Sequence, residues 1–251
     1  MHLTIIKIDR YGPWTLTLGS DRESTLQMLQ ARIYFDIQRL FSEKHCIVYP
    51  NRFDEYFAIT NGLLISELVD ILRELTELYP QLGFSMALGY GDTPTQADRS
   101  AFEARKNGIQ IASREIFGHD LNVNQLGNHK ADIRIMHIDV SGLSKLNLKM
   151  SPYQVTSMIF GIYSRLVDKF VEKECLTFYL GGDNFMVVAS NILKEEVENM
   201  LLGITEDTRI PLNCGIGKGK TGREAAMNAT KALDKIRELR DSGTNVSIYE
   251  I

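Results

Sequence analysis

Asp9 and Asp139 each close a strand-like run, LTIIKID at 3–9 and IRIMHID at 133–139, and each precedes a turn carrying a glycine, Gly12 or Gly142. Asp54 and Asp183 stand in a second pair of matched segments, NRFDEYFAIT (51–60) and LGGDNFMVVA (180–189). A carboxylate ending a central strand and another in the adjacent hairpin turn form a hard-oxygen pair. Such pairs suit Mg²⁺, which takes one or two carboxylates and draws its remaining ligands from water and phosphate. Aspartates favour strand ends and turns without any function. Four at matching spacings in two copies shift the balance to metal binding, which makes Asp9, Asp54, Asp139 and Asp183 the candidate metal ligands and catalytic residues.

Two glycine-bearing segments point to a polyphosphate. Gly181-Gly182-Asp183-Asn184 reads as a tight hairpin on composition alone, and its glycines would also let a triphosphate lie close to the backbone. Gly217-Lys218-Gly219-Lys220 opens a helix, where backbone amides and two lysines make a natural phosphate site. Walker spacing is absent. The first copy carries Asn51-Arg52-Phe53-Asp54 and Gly89-Tyr90-Gly91-Asp92 instead. It keeps the carboxylate but loses the paired glycines and both lysines, so the two copies are not expected to do the same job. Trp14, the single tryptophan, follows Asp9 closely and could stack on a base or pack a domain interface. Arg52 and Phe53 could likewise hold a base or phosphate, or pack.

The elements that must position these residues repeat along the chain. Asp9 to Asp139 is 130 residues, Asp54 to Asp183 is 129 and Gly91 to Gly219 is 128. Three landmarks drifting by one residue each indicate a tandem duplication. In the first copy a strand ends at Asp9 and a helix covers 24–41. A hairpin pairs 45–49 with 56–60, a helix covers 65–78, a strand 84–90, and a helix follows Pro94. The second copy repeats this with a strand at 133–139, a helix at 152–173, a hairpin at 176–189, a helix at 193–202, a strand at 211–218 and a helix at 222–241. A last strand at 246–250 has no counterpart in copy one. The order βαββαβ predicts an α+β pair of ferredoxin-like domains, each a four-stranded antiparallel sheet with helices on one face. The domains are 1–106 and 132–251, joined by a connector at 107–131. In that topology Asp9 approaches Asp54, and Asp139 approaches Asp183.

The bulk numbers narrow the class. With 251 residues, 44% of them hydrophobic and 24% charged, the chain has material for real cores. A net charge of −4 removes the strongest electrostatic case for nucleic-acid binding. Cys46, Cys175 and Cys214 are scattered, and no Cys/His cluster has zinc spacing. A reducing cytoplasm is the expectation. The N-terminus does not read as a signal peptide, and no apolar stretch reaches the roughly 20 residues of a membrane helix.

An aspartate ending strand one, a Gly-Gly-Asp hairpin and a basic loop before the last helix resemble the palm-type nucleotidyl cyclases. In detail the chain is more similar to archaeal-type GTP cyclohydrolase III, over essentially its whole length. IDRYGPWT (8–15), LQARIY (29–34), RFDEYFAITNG (52–62) and GGDNF (181–185) carry that resemblance, and the first and third are foreign to cyclases. The resemblance implies a hydrolase that opens the imidazole ring of GTP, keeps the formyl group and releases two phosphates, feeding flavin and deazaflavin biosynthesis. It implies Mg²⁺ as cofactor, K⁺ as activator and a dimer or tetramer. Asn184, Trp14 or Arg52 would then read guanine, and Lys218 would offset phosphate charge. Complementary losses in the two copies point to one composite GTP site. The competing readings are a nucleotidyl cyclase-like transferase and a non-catalytic nucleotide-binding regulator.

Overall fold

The computed structural model of the chain describes residues 1–119, 132–143, 149–189 and 191–251. It forms two compact units, the first containing strands β1–β5 and the second β6–β10. In the first, β1 (His2–Asp9) is followed by a short helix α1 (Tyr11–Leu16) and by α2 (Arg22–Ser42). The hairpin is β2 (Ile47–Arg52) and β3 (Glu55–Ile59), then come α3 (Ile65–Leu78), β4 (Gly83–Tyr90), α4 (Pro94–Lys106) and β5 (Ile116–Phe117). The second unit runs β6 (Ile133–Val140), α5 (Pro152–Val171), β7 (Leu176–Gly181), β8 (Asn184–Ala189), α6 (Lys194–Thr208), β9 (Leu212–Gly219), α7 (Gly222–Asp241) and β10 (Ile248–Glu250). Sheet orders are β2-β3-β1-β4-β5 and β7-β8-β6-β9-β10, so both units share one topology with β1 or β6 at the centre.

Each sheet has five strands, one more than the sequence led us to expect. Strand β10 adds parallel to β9, and β5 adds parallel to β4. The last strand thus has a first-copy counterpart after all, lying inside the segment read as connector. At two residues β5 is too short to show alternation, which is why it went unread.

The helices occupy both faces, not one. Leu3, Ile5, Ile6 and Ile8 of β1 are all at most 5% exposed, and since side chains alternate across a strand this requires cover on both sides. Ile6, Ile8, Phe84 and Met86 join α2 and α3 residues in one core. On the opposite face, a Cβ on Gly89 would overlap the backbone of Ala97 and Ala101, so α4 lies directly against β4. The second unit repeats this: Cys214 and Ile216 face α5 and α6, while Gly217 admits Ala225 and Ala229 of α7. The glycines read as a phosphate loop are therefore what lets an alanine-faced helix approach the strand.

Register separates the two units where the sequence repeat had equated them. Asp139 pairs with Asn213, four residues before Gly217, whereas Asp9 pairs with Gly83, six residues before Gly89. Lys7, which pairs with Ser85, holds the rung that Asp139 holds. Asp9 sits two residues farther out, at the level of Ser141. A two-residue slip keeps each side chain on its face, so apolar periodicity could not reveal it. Asp54 and Asp183 do correspond: both follow a register shift in the hairpin, after Pro50 and after Tyr179.

Candidate functional site

In the second unit the central strand and the hairpin turn deliver two carboxylates to one end of the sheet. Asp139, 5% exposed, is the penultimate residue of β6 and points to the α7 face. Its Oδ1 accepts from Asn213 Nδ2 at 2.8 Å and its Oδ2 from Arg237 Nη2 at 2.8 Å. The other arm of the Arg237 guanidinium is held by Asp234, also at 2.8 Å. Asp183 lies in the turn after β7. Gly181 (φ 101°) and Gly182 (φ 61°) adopt left-handed backbone there, which only glycine takes cheaply. Tyr179 Oη donates to the Gly182 carbonyl at 3.2 Å and fastens the turn.

Burial raises the pKa of Asp183, and the neighbouring charge of Asp139 adds to the rise, while Arg237 and His137 pull the other way. Two carboxylates at one end of a sheet, with the nearby guanidinium bonded to Asp139 and Asp234, form a place that would accept further positive charge. His137 stands on the same strand face, two residues before Asp139. It bonds Asn184 Oδ1 through Nε2 (3.0 Å) and Thr230 Oγ1 through Nδ1 (3.1 Å), and burial lowers its pKa. A cleft of about 530 Å³ opens beside the turn, lined by Leu143, Met150, Pro152, Val155, Thr156, Ile159, Tyr179 and Gly182. Its apolar wall and polar rim are what a purine needs.

The first unit holds its pair differently. The Ile8 amide donates to the Asp54 carbonyl at 2.9 Å, which joins the hairpin turn to the end of β1. Asp9 takes a single hydroxyl, from Ser85 Oγ at 2.7 Å. Arg52, with its side chain 60% exposed, pairs with Asp54 and Glu55 at 3.3 and 3.1 Å. Phe53 is exposed, and Trp14 packs with Tyr11 against the core of its own unit, ring centroids 5.7 Å apart. A cleft of about 620 Å³ adjoins Asp9, walled by Leu72, Arg73, Glu77, Phe84 and Glu115 among others.

The Gly217–Lys220 segment is at the wrong end of its sheet to serve the same carboxylates. Six residues of β9 separate Asn213, beside Asp139, from Gly219, a span of about 20 Å. Its donors also have partners already. The Lys218 amide bonds the Ile251 carbonyl and its ammonium meets Glu250 (2.9 Å), while the Lys220 amide bonds Glu224 and its ammonium meets Asp132 (2.5 Å). Within the second unit, Gly217, Lys218, Gly219 and Lys220 are thus apart from Asp139 and Asp183. The cation at those aspartates is Arg237, which sequence reasoning missed along with Asn213, His137 and Ser85. The one sequence signal that could have found Asn213 is its place near the start of the strand at 211–218, opposite the end of the strand that Asp139 closes.

Among the described residues, no three or more His, Cys, Asp or Glu side chains surround a common point. The donor set fits an ion bound by one or two carboxylates and completed by phosphate and water. It does not fit a closed zinc cage. All three cysteines are free and buried. Among the described residues no helix is long and apolar enough to cross a membrane.

Comparison with known proteins identifies the family. The GTP cyclohydrolase III family profile matches residues 1–249. GTP cyclohydrolase III of Methanobrevibacter smithii is 34% identical over 247 residues, covering 97% of this chain and 96% of that protein. GTP cyclohydrolase III of Methanocaldococcus jannaschii is 32% identical over 238 residues, covering 94% and 88%. The active GGEEF domain of a diguanylate cyclase from Vibrio cholerae aligns with 47% of this chain and 83% of its own at 15% identity, with a TM-score of 0.37. Matched by the family almost end to end, and a third identical to its members, the chain belongs to the GTP cyclohydrolase III family and is an enzyme of that type.

Proposed function

We propose that this enzyme hydrolyses the imidazole ring of GTP to a formylamino-pyrimidine ribonucleotide monophosphate and releases two phosphates, with Mg²⁺ as cofactor and K⁺ as activator, in flavin and deazaflavin biosynthesis. The observation that carries the reading is the placement of Asp139, at the end of the central strand, and Asp183, in the turn of the adjacent hairpin, at one end of the sheet, with Arg237 bonded to Asp139. Family membership supports GTP as the substrate.

Asp183 and Asp139 would hold Mg²⁺, with Asp9 and Asp54 as the corresponding pair of the first unit. When bound, the ion neutralises triphosphate charge and lowers the pKa of a bound water. The protein side of the reaction follows from what is in place. Burial and the neighbouring charge of Asp139 raise the pKa of Asp183, so a cation held between the two carboxylates would favour the charged form of both. One water gives its oxygen to C8 of the base as the formyl oxygen. The C8–N9 bond breaks, and the protons of that water finish on N7 and N9. Two further waters cleave the phosphoanhydride bonds. Arg237, half exposed and already held by Asp139, would offset charge building on phosphate oxygen. The largely apolar cleft beside Gly182 would seat the base.

Incubation with GTP, Mg²⁺ and K⁺ tests this, with ultraviolet absorbance and free phosphate read together. Loss of the purine band with about two phosphates per GTP, abolished by chelator, is the expected result. An intact purine band with pyrophosphate released would favour cyclase-like transfer instead.

A further inference from the structure

We propose that His137 is a positioning residue, the middle of a hydrogen-bonded relay running from Thr230 through Asn184 to the Asp183 carboxylate. The inference rests on the reading above that Asp183 works in the GTP reaction.

The chemistry of the groups fixes the direction of every bond. Asn184 Nδ2 lies 3.2 Å from Asp183 Oδ1, and an ionised carboxylate only accepts, so the amide donates there. The amide oxygen is then the atom that meets His137 Nε2 at 3.0 Å, and Nε2 must carry the ring proton. Nδ1 is left to accept from the Thr230 hydroxyl at 3.1 Å. The Asp183 carboxylate therefore sets the amide orientation of Asn184, the amide oxygen sets the Nε2–H tautomer, and the Thr230 hydroxyl, able to donate or accept, holds the ring that keeps the amide and the carboxylate in place. A flipped amide would aim its oxygen at the carboxylate, lone pair against lone pair.

The same rung of the first unit shows that the sheet itself does not need a histidine. His137 faces Gly215, two residues before Gly217, and Ile5 faces Ala87, two residues before Gly89. An isoleucine only 5% exposed fills that rung without difficulty. Where the second unit has Asn184 beside Asp183, the first has Glu55 beside Asp54, which no neutral relay could orient in this way. The polar chain is thus confined to the unit that carries the Gly-Gly-Asp turn.

The test measures His137→Phe, His137→Gln and Asp183→Asn together in the full chain. Removing a partner that orients a working carboxylate costs about 10–100-fold. His137→Phe is expected to lower kcat by that factor while KM for GTP stays within about twofold. His137→Gln, whose amide can still donate to Asn184, is expected to recover most of the loss. Nitrogen NMR of the GTP-free protein supplies a readout independent of turnover, with His137 expected as the Nε2–H tautomer in the unaltered protein and in Thr230→Val alike, because the Asn184 amide oxygen demands that proton in both. Full activity in His137→Phe beside an inactive Asp183→Asn would overturn the relay, as would an Nδ1–H ring in the unaltered protein. Full activity in Asp183→Asn would instead overturn the catalytic reading of Asp183 on which the relay rests.

Discussion

Asp183→Asn is expected to lower kcat for GTP ring opening about 10³-fold and, in the same protein, to raise thermal stability. The first effect follows from losing a charge-stabilising carboxylate worth about 4 kcal/mol in the transition state. The second follows from linkage. The folded-state pKa of Asp183 lies above its ordinary value of 3.8, because burial and Asp139 both disfavour the charged form. Folded protein therefore holds this proton more tightly than unfolded protein, and stability is lost as pH rises from about 3.8 through the folded pKa. Asparagine keeps the shape and carries no charge. Its advantage should be absent below about pH 3.8, where both states are protonated, and complete above the folded pKa. The turn is partly solvated, so the gain in Tm is small, about 1–2 °C. Scanning calorimetry across pH reads it, and a Tm that falls at neutral pH would mean that Asp183 is a structural group.

Arg237→Met should have the largest effect on stability. It leaves the nearly buried Asp139 with Asn213 as its remaining bonded partner. Breaking a buried pair from one side costs about 3–5 kcal/mol, and the half-exposed guanidinium brings this to about 2–3 kcal/mol because water can reach the vacated place. At about 2–4 °C per kcal/mol for a chain of this size, Tm should drop by about 5–10 °C. Adding Asp139→Asn removes the orphaned charge and should restore most of that loss. A double variant as unstable as the single one would show that Arg237 acts through its packing against the strand. Both variants should turn over GTP slowly, since each removes a group from the carboxylate pair.

How far the sequence could be read depends on how local each signal was. Strands such as IRIMHID and hairpins around Asp54 and Asp183 are written in short apolar runs and turn residues, and they came through. Asp54 and Asp183 were equated correctly because the hairpins around them carry the same bulge. Asp9 and Asp139 looked equally well matched, yet register puts Lys7 at the rung of Asp139. A slip of two residues changes neither face nor pattern, so only pairing with β4 and β9 exposes it. Gly217 and Gly219 illustrate a different ambiguity. Glycine serves equally for a phosphate's approach and a helix's approach, and the alanines at 225 and 229 were the clue that the helix was the one accommodated. Arg237 was out of reach for a third reason. Its bond to Asp139 joins residues 98 apart, and nothing in a helix rich in Lys, Arg, Asp and Glu marks which cation turns inward.

The separate behaviour of the two units follows from the same residues. The second unit presents a carboxylate pair, a guanidinium, a histidine bonded to Asn184 and Thr230, and a largely apolar cleft beside its Gly-Gly-Asp turn. The first presents Asp9 with a hydroxyl partner, an exposed Arg52 pairing with Asp54, and a lysine where the second has its buried aspartate. Equal substitutions in the two should therefore have unequal consequences.

The most direct measurement is turnover of GTP in ¹⁸O-labelled water, with the organic product followed by mass spectrometry and formate assayed in the same sample. Ring opening with retention requires one heavy oxygen in a formyl group that stays on the pyrimidine, with no free formate. A product that has lost its formyl carbon, or an unlabelled purine nucleotide, would contradict it.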